Sequence, residues 1–171
     1  MSAGMSAGSA NARDPGGGAS HRSSGQRASS RSSRRGRFFA LRRFAIVGDT
    51  DGLPFPRQAH ATLRGLGRVV YPVDLGGARY VGGDEAFGSV AELPGPVDAA
   101  VLALPRRRLP SIVLELAARG VRHLWIEEGQ SPEALELCRR HDLEVWTGRC
   151  DPQSLVERLR RGLARLFGRS G

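Results

Sequence analysis

The chain contains no lysine: all 26 of its basic residues are arginine. An all-arginine repertoire reads as a coding bias acting along the whole chain, so the arginine count is no argument for phosphate or nucleic-acid contacts at any one site. Cysteine is almost absent too. Cys138, on an expected helix, and Cys150, at an expected strand end, form neither a zinc pattern nor a disulfide framework. No stretch approaches the roughly 20 consecutive apolar residues that a bilayer span requires, so the chain is expected in the cytoplasm with no membrane role. A G-x-G-x-x-G dinucleotide fingerprint is missing as well, since Gly48 stands alone after the first expected strand. The four histidines, His21, His60, His123 and His141, share no ligand-like spacing, which excludes a zinc site built on them.

What is present divides in two. Residues 1–43 hold 9 arginines against a single acid, Asp14, and so carry +8 of the +9 net charge; residues 44–171 hold 17 arginines and 16 acids and are nearly neutral. The basic character therefore belongs to a tail rather than to a folded face, and a nucleic-acid partner is not expected from it. That tail is Ser, Gly, Ala and Arg with almost no apolar residue before Phe38, too little to offset the entropy of ordering, and it is expected to be disordered. Its repeat MSAGMSAG leaves Met1 and Met5 as equal starts. Ser33, Arg34 and Arg35 resemble a twin-arginine signal, but Arg42 and Arg43 interrupt the apolar run behind them.

From Phe44 onward short apolar runs alternate with segments of helical period, the pattern of βαβ units. The expected fold is a three-layer, Rossmann-like α/β domain over 44–171, with a mostly parallel sheet of about five strands. Strands are expected at Phe44–Val47, Arg68–Val73, Ala99–Leu104, His123–Ile126 and Leu143–Trp146. The third, apolar throughout, suits the middle of a sheet covered on both faces. Helices are expected from Pro56, from Leu109–Pro110 to Gly120, and from the Ser131–Pro132 cap signal. Five glycines between Gly76 and Gly88 indicate an irregular excursion holding a small hairpin, followed by a helical turn near Ser89–Leu93. A last helix starts at Asp151–Pro152, with Leu155, Leu159, Leu163 and Leu166 on one stripe and Arg158, Arg161 and Arg165 outside it.

In such sheets ligands sit beyond the carboxyl ends of the strands. Those ends are five loops: 48–57, 74–77, 105–108, 127–130 and 148–150. Asp98 precedes strand three while Asp49 follows strand one, so the two belong to opposite ends of the sheet and make no paired-carboxylate site.

The residues around these loops carry a resemblance. They are Ile46-Val47-Gly48, Val69-Val70-Tyr71-Pro72-Val73, Ser89 to Pro94, Pro96-Val97-Asp98, Leu104-Pro105, Gly120-Val121, Trp125-Ile126 with Gly129, and Gly148-Arg149-Cys150. In this order, from about Phe44 to Cys150, the chain resembles the small stand-alone CoA-binding proteins, whose Rossmann-like domain is related to that of the succinyl-CoA synthetase alpha subunit. The resemblance implies a non-catalytic protein that holds CoA or an acyl-CoA. It also implies a site drawn from Gly48, Asp49, Thr50, Arg57, Val73, Asp74, Leu104, Pro105, Arg106, Glu127, Gly129, Arg149 and Cys150. Gly48, Thr50 and Arg57 are expected on the phosphate side, Asp74 at the ribose or adenine, and Pro105 with Arg106 to Arg108 over the phosphates. The chain departs from the family where Gly-Ala-Ser becomes Gly48-Asp49-Thr50, where Asp74-Leu75 replaces Asn-Pro, and where Glu127 replaces Gln. The catalytic histidine of acyl-CoA ligases belongs to a second domain, which argues against an enzyme here. These departures keep a second reading open, a ligand-free Rossmann scaffold that serves as a protein-interaction module, its basic tail binding an acidic partner.

Overall fold

The computed structural model describes residues 35–127 and 131–150. The basic tail through residue 34, Gly129 and the expected last helix lie outside the described residues.

A short helix over 35–40 (α1) leads into strand β1, Arg43–Gly48. Helix α2, Arg57–Gly65, returns the chain to β2, Val69–Asp74. A two-residue-per-strand hairpin follows, β3 at Tyr80–Val81 and β4 at Asp84–Glu85, then a 3₁₀ turn at Val90–Glu92. Strand β5 spans Ala99–Ala103; a second 3₁₀ turn, Arg106–Arg108, runs into helix α3, Leu109–Ala118. Strand β6 (His123–Ile126), helix α4 (Pro132–Arg140) and strand β7 (Glu144–Thr147) complete the described order. The fold is α/β, with five parallel strands in the order β2-β1-β5-β6-β7. Consecutive connections run outward from β1 in opposite directions, so the direction of winding reverses between β1 and β5.

Local chemistry accounts for these elements. All five residues of β5 are buried, as a central parallel strand demands. The side chain of Ser131 accepts a hydrogen bond from the Ala134 N–H at 3.3 Å and Pro132 occupies the first helical position, so both halves of the expected cap signal are used. Along β1 the period of two sends Ala45 and Val47 into the core under α3 and α4, and Phe44 and Ile46 into the core under α1 and α2.

The second core reaches further back than the sequence indicates. Phe38 and Phe39 lie within the segment assigned to the tail, yet both are buried against Trp125, and the Phe38 ring also lies 5.0 Å from that of Trp146. Two phenylalanines of this size bury enough apolar surface to hold the segment on the sheet, about 2 kcal/mol each by area.

The hairpin is pinned to α2 by charge. Asp84 pairs with Arg64, and one of its oxygens lies 2.9 Å from Nε2 of the buried His60. Gly82, with φ of 59°, passes so close to the imidazole that a Cβ would stand 2.9 Å from its Nδ1. At the opposite, amino end of the sheet Asp98 accepts hydrogen bonds from the Arg42 and Arg43 N–H groups and from the Arg43 guanidinium, which holds its carboxyl below the usual range. Asp98 and Asp49 thus sit at opposite ends of β1. Among the described residues no helix is long and apolar enough to cross a membrane.

Candidate functional site

The carboxyl edge of the sheet is built from three loops that are laced together and a neighbouring cavity that is open. The lacing starts at Asp74, the last residue of β2, which is fully buried. One carboxylate oxygen accepts from the Thr50 N–H at 2.9 Å; the other accepts from the Thr50 hydroxyl and from the Ala78 N–H, each at 2.7 Å. The loop after β1 is thereby tied to the loop after β2. Gly76 lets the two backbones meet, because a Cβ there would lie 2.6 to 2.8 Å from Thr50 Oγ1, Thr50 N and Asp51 N.

Arg108 ties in the third loop. Its Nη1 donates to the Leu75 carbonyl at 3.3 Å and its Nε lies 3.1 Å from Asp49 Oδ2. Asp49 is itself buried, and among the described residues neither of its oxygens has a hydrogen-bond partner, so the Arg108 charge is what compensates it. The Asp49 carbonyl accepts from the N–H groups of both Gly52 and Leu53. Pro105 presses on Gly52, where a Cβ would stand 2.9 Å from its Cγ.

These contacts decide what the expected site residues do. Gly48 lies beneath the Phe55 ring, where a Cβ would stand 2.5 Å from its Cδ2. Thr50, itself exposed, and the buried Asp74, expected as a phosphate donor and a ribose acceptor, are hydrogen-bonded to each other. The physical reason is that a buried carboxylate must be saturated with donors, and the nearest ones are on the neighbouring loop. Val73 and Leu104 are fully buried core residues, Pro105 is half-buried, and Arg106 is exposed on its 3₁₀ turn.

The cavity lies on the other side of Phe55. It has a volume of about 390 Å³, within the range of about 300–1,000 Å³ found for small-molecule sites. One wall is the approach to α2, Leu53 to Pro56, with Arg57, Gln58 and Ala59 of its first turn; the other is Ala103 at the end of β5, Glu127 after β6, and Arg149 with Cys150 after β7. Of the expected site residues it brings together Arg57, Glu127, Arg149 and Cys150. Glu127 Oε1 accepts from the Cys150 N–H at 3.0 Å, and Trp125 Nε1 donates to the Gly148 carbonyl at 2.6 Å, so the two loops are held in register. The Arg57 N–H donates to the Phe55 carbonyl at 2.7 Å, while the next N–H groups of the first turn of α2 have no intrahelical acceptor and the macrodipole is positive there, which suits an anion. Arg57 and Arg149 are both exposed and add two forked cations to that end.

Sequence reasoning missed Leu53 to Pro56, Gln58, Ala59 and Ala103. All but Gln58, Ala59 and Ala103 lie inside the first of the five expected loops, and the Pro54-Phe55-Pro56 run was the available signal: a stiff, apolar approach to a helix start makes a wall.

Comparison with known proteins places this arrangement. Residues 42–151 match the CoA binding domain family. The chain belongs to that family. Over 126 residues, 66% of this chain, it is 27% identical to the ADP-forming acetate–CoA ligase II subunit alpha of Pyrococcus furiosus, and it spans 27% of that subunit's length. Among solved structures it is similar to a hypothetical protein from Pyrococcus horikoshii OT3, with a TM-score of 0.61, 20% identity, and coverage of 69% of this chain and 84% of that one. A conserved hypothetical protein from Pyrococcus furiosus is similar with a TM-score of 0.56 and 27% identity, over 64% of this chain and 96% of that one. The CoA binding domain family thus includes this chain over the whole described sheet, cavity included.

Proposed function

We propose that this chain is a non-catalytic, cytoplasmic protein that holds CoA or an acyl-CoA in the cavity at the carboxyl ends of β5, β6 and β7. The observation that carries the reading is the position of that cavity in a chain of this family: beside the reversal of winding, at the start of α2, with Arg57 and Arg149 on its rim. The two arginines and the first turn of α2 take the phosphates. The apolar wall takes the pantetheine arm. Arg106 stays available in solvent to a further phosphate.

Calorimetric titration of the full chain tests this reading, with CoA, acetyl-CoA, NAD and ATP compared. Binding of CoA and acetyl-CoA in the micromolar range, about −8 kcal/mol, is expected, with NAD and ATP much weaker. No heat and no thermal shift with millimolar CoA overturns it. The second reading, a ligand-free scaffold that docks a protein, is favoured by one observation: the laced loops already consume the groups of the first loop that a phosphate needs. On that reading CoA is inert and removal of residues 1–34 abolishes capture of an acidic partner without shifting the melting temperature.

A further inference from the structure

The coenzyme has two ends, and the carboxyl edge has room for one. A whole CoA is larger than the cavity, so part of it must lie elsewhere. The natural place for the nucleotide end is the crevice between the β1 and β2 ends, where an acid that closes β2 can meet a ribose diol and the first loop can cradle a phosphate. Here that crevice is shut. Its acid, Asp74, is fully buried and already accepts three hydrogen bonds. Of the first loop's N–H groups, Thr50 donates to Asp74 while Gly52 and Leu53 donate to the Asp49 carbonyl, and Gly76 lies against the Asp51 nitrogen. Arg108, which could have met a phosphate, is held on Asp49 and Leu75.

Among the described residues the cavity gives a purine little to stack on. The aromatic side chain that lines it is Phe55, which is 6% exposed and packed against Gly48, so only a small part of its ring reaches the cavity. What it offers is an apolar wall and two exposed guanidinium groups. Those suit a narrow chain that ends in a phosphate.

Resting on the CoA reading above, we propose that the site recognises the phosphopantetheine half of the coenzyme and leaves the adenosine half outside the cavity. Selectivity then lies in the arm and its phosphate, and the nucleotide is a handle that the protein scarcely reads. An exposed Arg106 contact to the nucleotide's remaining phosphate adds little, because charges paired in water are screened.

The test is a titration of the full chain with CoA, 4′-phosphopantetheine and adenosine 3′,5′-bisphosphate under one buffer condition. Phosphopantetheine is expected to bind within about threefold of CoA, and the adenosine bisphosphate at least about 30-fold more weakly. If the bisphosphate matches CoA and phosphopantetheine falls more than about tenfold behind, the inference is overturned while CoA binding stands. If none of the three binds, the CoA reading itself fails, so the two failures are distinguishable.

Discussion

At the ends of β1, β2 and β5 the chain places Asp49, Thr50, Asp74 and Arg108; at the ends of β6 and β7 it places Glu127 and Arg149, with Arg57 lining the same cavity from α2. The residue types are similar and their uses are opposite. In the first group each charged or hydroxyl side chain is matched by another across a loop boundary, and both carboxylates are buried. In the second the guanidinium groups are exposed around a cavity. Strand-end position by itself therefore does not decide whether a polar side chain is spent inside the protein or faces solvent.

The largest expected effect comes from breaking the laced half. Replacing Asp74 by alanine strands the Thr50 N–H, its hydroxyl and the Ala78 N–H, where each unsatisfied buried group costs about 1–3 kcal/mol. Some of these donors will regain water, so a loss of roughly 3 kcal/mol in urea denaturation is expected. A loss below about 1 kcal/mol means that the loops part easily and the crevice can open. Gly76→Ala comes next. Its Cβ meets backbone nitrogens that cannot rotate away, so the two loops must separate, at roughly 1–3 kcal/mol. If the adenosine bisphosphate binds the G76A protein more tightly than the parent, the closure of this crevice is what excludes it.

The open half responds differently. Arg57→Ala and Arg149→Ala remove exposed groups, so stability is expected to change by less than about 0.5 kcal/mol. Affinity for CoA and for phosphopantetheine should fall together by roughly tenfold for each substitution, the size of one charge-assisted contact. Loss of affinity for CoA alone puts the arginines on the nucleotide and not on the arm's phosphate.

How much of this was legible beforehand follows from the range of the interactions. Strand β5 could be read because burial on both faces makes every residue apolar, and α4 because Ser131 and Pro132 lie next to the helix they start. The glycine cluster correctly marked a hairpin. Helix α1 was hidden: Phe38 and Phe39 follow an arginine-rich run, and nothing local says that they face Trp125 and Trp146, about 90–110 residues away. The site divides in the same way. Arg57, Glu127, Arg149 and Cys150, which line the cavity, could be placed at the sheet edge because each lies in a loop expected after a strand. The hydrogen bonds between Thr50 and Asp74 could not be foreseen, because they span 24 residues and leave no trace in either loop taken separately.

The smallest effect concerns the hairpin on the far side of Phe55. Burial lowers the pKa of His60, with Arg64 acting in the same direction and Asp84 opposing both. The folded protein therefore resists a proton that the unfolded chain accepts from about pH 6.5 downward. The stability contribution is complete above that value and is lost as the pH falls through it. Asp84 and Asp98, held low by Arg64 and Arg43 respectively, add a separate loss only further into acid, below their ordinary value of 3.8. Denaturation at pH 7.5 and 5.5 should show the parent weakening while His60→Gln, which cannot take the proton, stays level. An equal slope in both proteins removes His60 as the source of the pH dependence. Because Phe55 contacts His60 on one side and walls the cavity on the other, CoA affinity measured over the same interval tells whether the closed and open halves are coupled. A constant affinity while stability falls means that the hairpin loosens without moving that wall.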